Sequence, residues 1–273
     1  MSEILIVIPA RYASSRLPGK PLVKIKGKEM IRRVAGIAEH ICSKYKEASY
    51  VIATDDERIS KFCTENNLKW IMTSQECRNG TERCLEAVKN IEAAPNLIIN
   101  LQGDNPLCPP WIVESIIEEW KEFRADVYTP YVKLDWKEYD KLCESKNTPE
   151  TRYSGTTVLI DKNGYAMAFS KNTIPAIRKP EKAREYPLSP VCRHIGLYAY
   201  TYETLKTYGS LEESPYEKSY IEGLEQMRFL YNGLKVKMVA ADYRGRETTS
   251  GVDSPPDILR VEEILEKYGE FDL

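Results

Sequence analysis

Apolar residues follow two rhythms along this chain. Residues 4–8 and 97–101 are nearly unbroken apolar runs, the pattern of strands buried on both faces of a parallel sheet. Across residues 30–45 the spacing changes: Ile31, Val34, Ile37, Ala38 and Ile41 recur at helical intervals, with Arg32, Arg33, Glu39 and Lys44 between them. Further patterns predict strands over 50–54 and 70–72 and helices over 56–65 and 81–91, the last opening after Gly80. Strands alternating with helices through short connections predict an α/β fold with a doubly wound, mostly parallel sheet. Ligands of such sheets sit beyond the carboxyl ends of the strands, here the loops at 10–20 and 102–106.

The alternation weakens over about 126–202. Short strand-like pieces at 156–160, 166–169 and 195–200 flank a stretch rich in proline and charge at 175–190, and the segment reads as an inserted subdomain. Helical spacing returns over 219–231, followed by a strand at 236–240 and a terminal helix from Pro255 to Tyr268. No internal repeat or low-complexity tract interrupts the pattern.

Composition narrows the function classes. The 273 residues, 42% hydrophobic and 29% charged, suit a single large domain carrying an insertion. Lys and Arg total 39 against 41 acidic residues, so a net charge of −2 argues against nucleic-acid and membrane-surface partners. No apolar run approaches the roughly 18 residues of a membrane span. Seven cysteines (42, 63, 77, 84, 108, 143 and 192) lack any C-x-x-C pair, and no apolar leader precedes the first strand. They read as reduced packing residues, and the expected location is cytoplasmic.

Three segments carry candidate chemistry. After the first strand, residues 9–22 place Arg11, Arg16 and Lys20 among two serines and a glycine, a composition suited to gripping a polyphosphate. Neither G-x-x-x-x-G-K-S/T nor G-x-G-x-x-G is present, so the kinase and dehydrogenase fingerprints are absent. Taken alone, the loop is equally well explained as solvated surface. At the same expected sheet edge, residues 100–106 (Asn-Leu-Gln-Gly-Asp-Asn-Pro) supply Asp104, either a Mg²⁺ ligand beside a triphosphate or a turn and capping residue. Residues 251–257 place Asp253 just before a proline-initiated helix, where capping is the alternative and fits Ser254.

Taken in order, residues 8–22, 79–83 (Asn-Gly-Thr-Glu-Arg), 100–106, 193–198 (Arg-His-Ile-Gly-Leu-Tyr), 224–228 (Leu-Glu-Gln-Met-Arg) and 251–257 resemble the 3-deoxy-manno-octulosonate (Kdo) cytidylyltransferases, also called CMP-Kdo synthetases. The resemblance implies a Rossmann-like sheet of the nucleotide-diphospho-sugar transferase type, forming one cytidylyltransferase domain over 1–273. Its smaller inserted α+β part, about 126–202, would serve acceptor binding and dimerisation. It also implies CMP transfer from CTP to the anomeric hydroxyl of a 3-deoxy-2-ulosonic acid, with Mg²⁺ as cofactor, release of pyrophosphate and a role in lipopolysaccharide or capsule synthesis. Residue by residue, Ala10, Arg11, Ser14, Arg16, Lys20, Asn79, Gly80, Thr81, Arg83 and Gln102 would bind the nucleotide. Asp104 and Asp253 would hold the metal and, with Arg11 and Lys20, form the catalytic set. Gln102, Arg178, His194, Tyr198, Glu225 and Gln226 would surround the sugar acid. A homodimer is implied.

Departures from the family pattern fall mainly on the acceptor side. Asn79, Asn105 and Lys171 stand where Ser, Glu and Arg are usual; residues 152–158 read Arg-Tyr-Ser-Gly-Thr-Thr-Val, and Ala176 replaces an expected Trp. Lysine keeps the charge but loses the planar fork of arginine. Two alternatives follow: the same chemistry on another acid (an amino-substituted Kdo, another ulosonic acid, or a non-sugar carboxylate or phosphonate), or a nucleotide-binding regulatory module without turnover.

Overall fold

Residues 4–8 open a strand that runs Ile4–Ala10, with Ile4, Ile6, Val7 and Ile8 fully buried. Each such side chain contributes about 1.5–3 kcal/mol on burial. The computed structural model describes residues 3–13, 16–91, 94–149, 151–247 and 251–273. It divides into two units, one of 1–117, 196–209 and 243–273, the other of 118–195 and 210–242.

In the first unit, Ile4–Ala10 lies between Ala48–Thr54 and Leu97–Asn100, both parallel to it. Trp70–Met72 extends the sheet in parallel beyond Ala48–Thr54, and Tyr198–Thr201 pairs antiparallel with Leu97–Asn100. Helix Met30–Lys44 buries Ile31, Val34, Ala35, Ile37, Ala38 and Ile41 as its spacing predicts, but also Arg33, which the spacing placed among the polar positions; its guanidinium donates to the Ile25 carbonyl at 2.7 Å and to Glu270 at 2.6 Å. Helix Glu57–Glu65 is capped by Asp56 and helix Gly80–Lys89 by Asn79. The terminal helix Pro255–Tyr268 packs Val261, Ile264 and Leu265 against Ile25, Met30, Leu107 and Val252. This is the expected α/β class: a mostly parallel sheet, with the carboxyl ends of its three central parallel strands at one edge.

In the second unit, Val127–Asp135 pairs parallel with Val236–Ala240 and antiparallel with Leu188–His194; Thr157–Ile160 and Ala166–Ser170 follow, each antiparallel to its neighbour. The strand Val127–Asp135 escapes the apolar pattern because Pro130 sits in its middle, where proline normally argues against a central strand. Pro130 is accommodated as an acceptor: its carbonyl receives the Ile195 N–H at 3.0 Å. Helices Pro110–Glu122 and Trp136–Ser145 are likewise not foreseen from the pattern.

Two expectations are corrected. The strand expected over 195–200 is split: Leu188–His194 ends before Gly196, and Tyr198–Thr201 begins a new strand in the first unit's sheet. The helix expected over 219–231 shrinks to Met227–Tyr231. Gly223 adopts φ 63° and its N–H closes a turn onto the Lys218 carbonyl, so regular helix cannot run through it. Glu225 and Gln226 therefore lie in the turn before this short helix, with Gln226 buried rather than on a solvated helical face.

Candidate active site

The loop after Ile4–Ala10 turns back on itself because Gly19, at φ 68°, donates its N–H to the Tyr12 carbonyl at 3.1 Å. A Cβ at Gly19 would lie 3.1 Å from the Tyr12 ring and would press it outward, on top of the strain of a positive φ. The Arg58 guanidinium covers the Tyr12 ring at 3.3 Å and is itself gripped by both oxygens of Asp56. The turn delivers Lys20 to the start of a short 3₁₀ segment, Lys20–Leu22, with its side chain directed inward.

Lys20 Nζ lies 2.7 Å from Asp104 Oδ2 and 3.0 Å from Asp253 Oδ1. Arg16 reaches the same Asp253 oxygen at 3.1 Å. Burial works against the Lys20 charge, but the two carboxylates outweigh it and raise its pKa above the ordinary 10.5. The backbone explains how residues so distant in sequence converge. A Cβ at Gly103 would stand 2.4 Å from the Pro9 carbonyl oxygen, so only glycine lets the 101–105 turn lie against the first strand. The Val252 N–H donates to the Asp104 carbonyl at 2.8 Å, and a Cβ at Gly251 would meet Asp104 Oδ1 at 3.0 Å. Helix capping at Ser254 is completed by Asp257, which accepts from the N–H groups of Asp253 and Ser254. The Asp253 carboxylate is thereby left to face Lys20.

These groups border a cleft of about 220 Å³. Ala10, Arg11, Arg16, Lys20, Asn79, Gly80, Arg83, Gln102, Asp104 and Asp253 all line it, together with Pro9, Pro21, Met30, Cys77 and Gly103, which the motifs did not single out. Arg11 is exposed and makes no ion pair among the described residues. Ser14 lies outside the described residues. Thr81 is fully buried and absent from the cleft wall; its hydroxyl meets Tyr200 Oη at 2.8 Å. Asn100 bonds the same phenol at 3.5 Å and accepts from Gln102 Nε2 at 3.1 Å, so a buried polar chain anchors the Gln102 amide. Asn79 accepts the Glu82 N–H at 2.9 Å, the capping role that the family's usual serine would also fill. Arg83 borders the cleft with its guanidinium engaged by Asp55 at 2.8 Å and Thr73 at 2.7 Å. Asp55 and Thr73 had no motif to mark them. Burial and Glu86 push the Cys77 thiol up to about 12, keeping it protonated.

No group of three or more His, Cys, Asp or Glu side chains forms a metal cage among the described residues. Asp104 and Asp253 offer two carboxylates that converge in the cleft, a hard-oxygen set that suits Mg²⁺ when phosphate oxygens and water complete its shell.

Gln102 and Tyr198 belong to the first unit, Tyr198 stacked on Tyr200 with centroids 6.2 Å apart. Arg178, His194, Glu225 and Gln226 belong to the second. Arg178 is exposed. His194 Nε2 lies 2.7 Å from Thr129 Oγ1, with its ring edge-on to Phe169. Burial, with a smaller contribution from Lys171, pushes the imidazole down to about 3, so His194 is a neutral hydrogen-bonding group near pH 7. Lys171 is fixed through its backbone, its N–H to Glu222 at 2.7 Å and its carbonyl to the Lys146 ammonium at 2.5 Å.

Residues 5–237 match the family model described as cytidylyltransferase. The chain is 42% identical over 273 residues to the 3-deoxy-manno-octulosonate cytidylyltransferase of Maricaulis maris, covering 98% of this chain and 99% of that protein. It belongs to the 3-deoxy-manno-octulosonate cytidylyltransferase family. Another member, the mitochondrial enzyme of that name from Arabidopsis thaliana, is 36% identical over 97% of this chain and 83% of its own length. The solved structure of CMP:2-keto-3-deoxy-manno-octonic acid synthetase complexed with CTP matches with a TM-score of 0.81 at 32% identity, covering 97% of this chain and 99% of that one. A 4-diphosphocytidyl-2C-methyl-D-erythritol synthase from Anaerococcus prevotii, 17% identical with a TM-score of 0.55, shares the fold. As a cytidylyltransferase, this protein is a CTP-dependent nucleotidyltransferase. Among the described residues, no helix of the enzyme is long and apolar enough to cross a membrane.

Proposed function

We propose that the enzyme transfers CMP from CTP to the anomeric hydroxyl of 3-deoxy-manno-octulosonate, releasing pyrophosphate and supplying an activated acid sugar for cell-surface polysaccharide synthesis. The observation that carries this reading is the convergence of Arg11, Arg16 and Lys20 with Asp104 and Asp253 in one cleft at the carboxyl edge of the parallel strands. In the reaction, the sugar oxygen attacks the α-phosphorus, the bond from that phosphorus to the oxygen bridging to the β-phosphate breaks with its electron pair leaving on pyrophosphate, and the hydroxyl proton passes to water. Such a displacement depends on alignment and on neutralising charge at the phosphoryl group and the departing pyrophosphate. Arg11, Arg16 and Lys20 bind the triphosphate; backbone at Ala10 and the capped start of helix Gly80–Lys89 face the nucleoside. Asp104 and Asp253 are the residues that would hold Mg²⁺, which when bound supplies Lewis-acid stabilisation of the α-phosphate.

On the acceptor side, Arg178 is an exposed cation suited to the sugar carboxylate, and neutral His194 is suited to a hydroxyl. Gln102, Tyr198, Glu225 and Gln226 complete the proposed set. Residues 126–202 are proposed to serve both acceptor binding and a homodimer contact. The dimer reading is supported by the family resemblance and by exposed Tyr153, Met167, Tyr186 and Leu188 on that segment, and sedimentation velocity tests it. The activity is tested by incubating the protein with CTP, Mg²⁺ and Kdo, then measuring pyrophosphate and product mass. A CMP-Kdo mass with stoichiometric pyrophosphate is expected. Turnover with a different acid in a panel of ulosonic acids, carboxylates and phosphonates, but not with Kdo, overturns the acceptor. No turnover with any acid favours a regulatory module.

A further inference from the structure

We propose that Lys20 is the resident cation of the Asp104–Asp253 pair in the free enzyme, and that its transfer to the incoming triphosphate opens this position to the divalent ion. The proposal rests on the reading of the cleft as a triphosphate site. It adds a consequence: metal binding is suppressed until nucleotide arrives, and the two bind with positive coupling.

Three observations support it. Lys20 Nζ spends two of its three donors on these carboxylates, at 2.7 and 3.0 Å, so one positive centre already sits where both acids converge. Arg16 adds a second cation at 3.1 Å from Asp253, and the formal charges of Lys20, Arg16, Asp104 and Asp253 cancel. A divalent ion arriving alone therefore meets a neutral cluster whose carboxylates are engaged and partly desolvated. Finally, the acids are held from behind by their own backbone: the Asp104 carbonyl accepts from Val252, and the Asp253 N–H donates to Asp257. The lysine, on a flexible four-carbon stem, is the partner free to leave.

The exchange involves little motion of the acids. Asp104 Oδ2 and Asp253 Oδ1 already converge on one point, 2.7 and 3.0 Å from Lys20 Nζ, and would hold a divalent ion there once Lys20 swings to a phosphate. A triphosphate would supply the anion that draws Lys20 and Arg16 away, leaving Asp104 and Asp253 to hold the metal. By linkage, whatever factor nucleotide adds to metal affinity, metal adds to nucleotide affinity.

The test reads metal occupancy instead of turnover. Mn²⁺ is titrated into the intact enzyme without nucleotide and free Mn²⁺ is followed by its paramagnetic resonance signal, for wild type, Lys20→Met, Lys20→Arg and Lys20→Met/Asp253→Asn. Wild type and Lys20→Arg are expected to bind weakly. Lys20→Met is expected to bind at least tenfold more tightly, and the double variant to lose that gain. Lys20→Gln repeats the comparison should Lys20→Met melt early by circular dichroism. Mn²⁺ affinity no tighter in either neutral variant than in wild type overturns the proposal, whatever CTP does. Calorimetry of wild type with CTP and Mg²⁺ separates the two readings: absence of CTP binding overturns the triphosphate site itself.

Discussion

Removing the Asp55 carboxylate should unsettle the cleft from beneath. Arg83 is 3% exposed and Asp55 10%, with Arg83 Nη2 2.8 Å from Asp55 Oδ2, so the pair is largely shielded from water. At an effective dielectric of about 20, charges at that separation attract by roughly 6 kcal/mol before desolvation is counted. In Asp55→Ala the guanidinium keeps Thr73 Oγ1 at 2.7 Å and the Ser74 carbonyl at 3.3 Å but loses its counter-charge, and a buried cation left in this way costs about 3–5 kcal/mol. Set against a typical total of about 5–15 kcal/mol, that is a large share of the stability. Asp55→Asn, which keeps an acceptor of the same shape, is expected to lose about 1–3 kcal/mol. Removing both charges in Asp55→Ala/Arg83→Met should be milder than Asp55→Ala alone, because Thr73 Oγ1 still donates to the Thr54 carbonyl at 3.0 Å and no charge remains stranded. Urea unfolding followed by far-ultraviolet circular dichroism gives all four free energies, and the KM for CTP reports whether the start of helix Gly80–Lys89 has moved. A loss under about 1 kcal/mol in Asp55→Ala, or a double variant that loses as much as Asp55→Ala or more, refutes the argument.

Four shorter expectations follow. As pH falls from 6.5, unfolded His194 takes up a proton that the folded imidazole, lowered to about 3, refuses; stability present above pH 6.5 is therefore lost on acidification, by at most about 1.5 kcal/mol between pH 6.5 and 5. Because the ring is only half-buried by surface area, the comparison uses that upper part of the window, and His194→Gln should flatten the slope of urea-derived stability against pH. Asp104→Asn and Asp253→Asn should each lower kcat/KM by about two orders of magnitude or more while the circular-dichroism spectrum stays native; wild-type turnover in both would remove them from the metal site. Gly103→Ala, whose new methyl would press on the Pro9 carbonyl oxygen at 2.4 Å, should lose at least about 1–3 kcal/mol in urea titrations and weaken CTP binding in calorimetry. Asn79→Ser should stay within about 0.5 kcal/mol of wild type, whereas Asn79→Ala should lose about 1 kcal/mol with the cap, both read from thermal melts.

The parallel strands of the first unit were legible because burial on both faces leaves an unbroken apolar run, as in Ile4–Ala10 and Leu97–Asn100. Strand Val127–Asp135 was not, since Pro130 breaks the pattern and the compensating Ile195 N–H comes from elsewhere in the chain. The helix expected over 219–231 failed for the opposite reason: the apolar spacing was present, but a single glycine at positive φ overrode it. In the site, composition announced the cations of residues 11–20, yet it left open whether they were solvated. That choice depends on Asp104 and Asp253, which lie 84 and 233 residues from Lys20. Arg83 shows the converse. Its motif marked it as a nucleotide residue, while its partner Asp55, 28 residues away, engages the guanidinium from the end of the neighbouring strand.

The loop cations accordingly divide into two kinds. Lys20 and Arg16 are already balanced by acids of the protein, so their pull on a phosphate must be set against the ion pairs they leave. Arg11 is exposed and unpaired among the described residues, so its attraction for phosphate carries no such deduction. A triphosphate entering the cleft should therefore engage Arg11 before it competes with Asp104 and Asp253 for Lys20. On the proposed reading, this order would place the metal position under the control of bound nucleotide: Arg11 would favour the first contact, and Lys20 would yield only to an anion already in place. Two of the three charges are neutralised by the residues that would later hold the metal, so the free cleft carries little of the self-repulsion that three clustered cations would otherwise create.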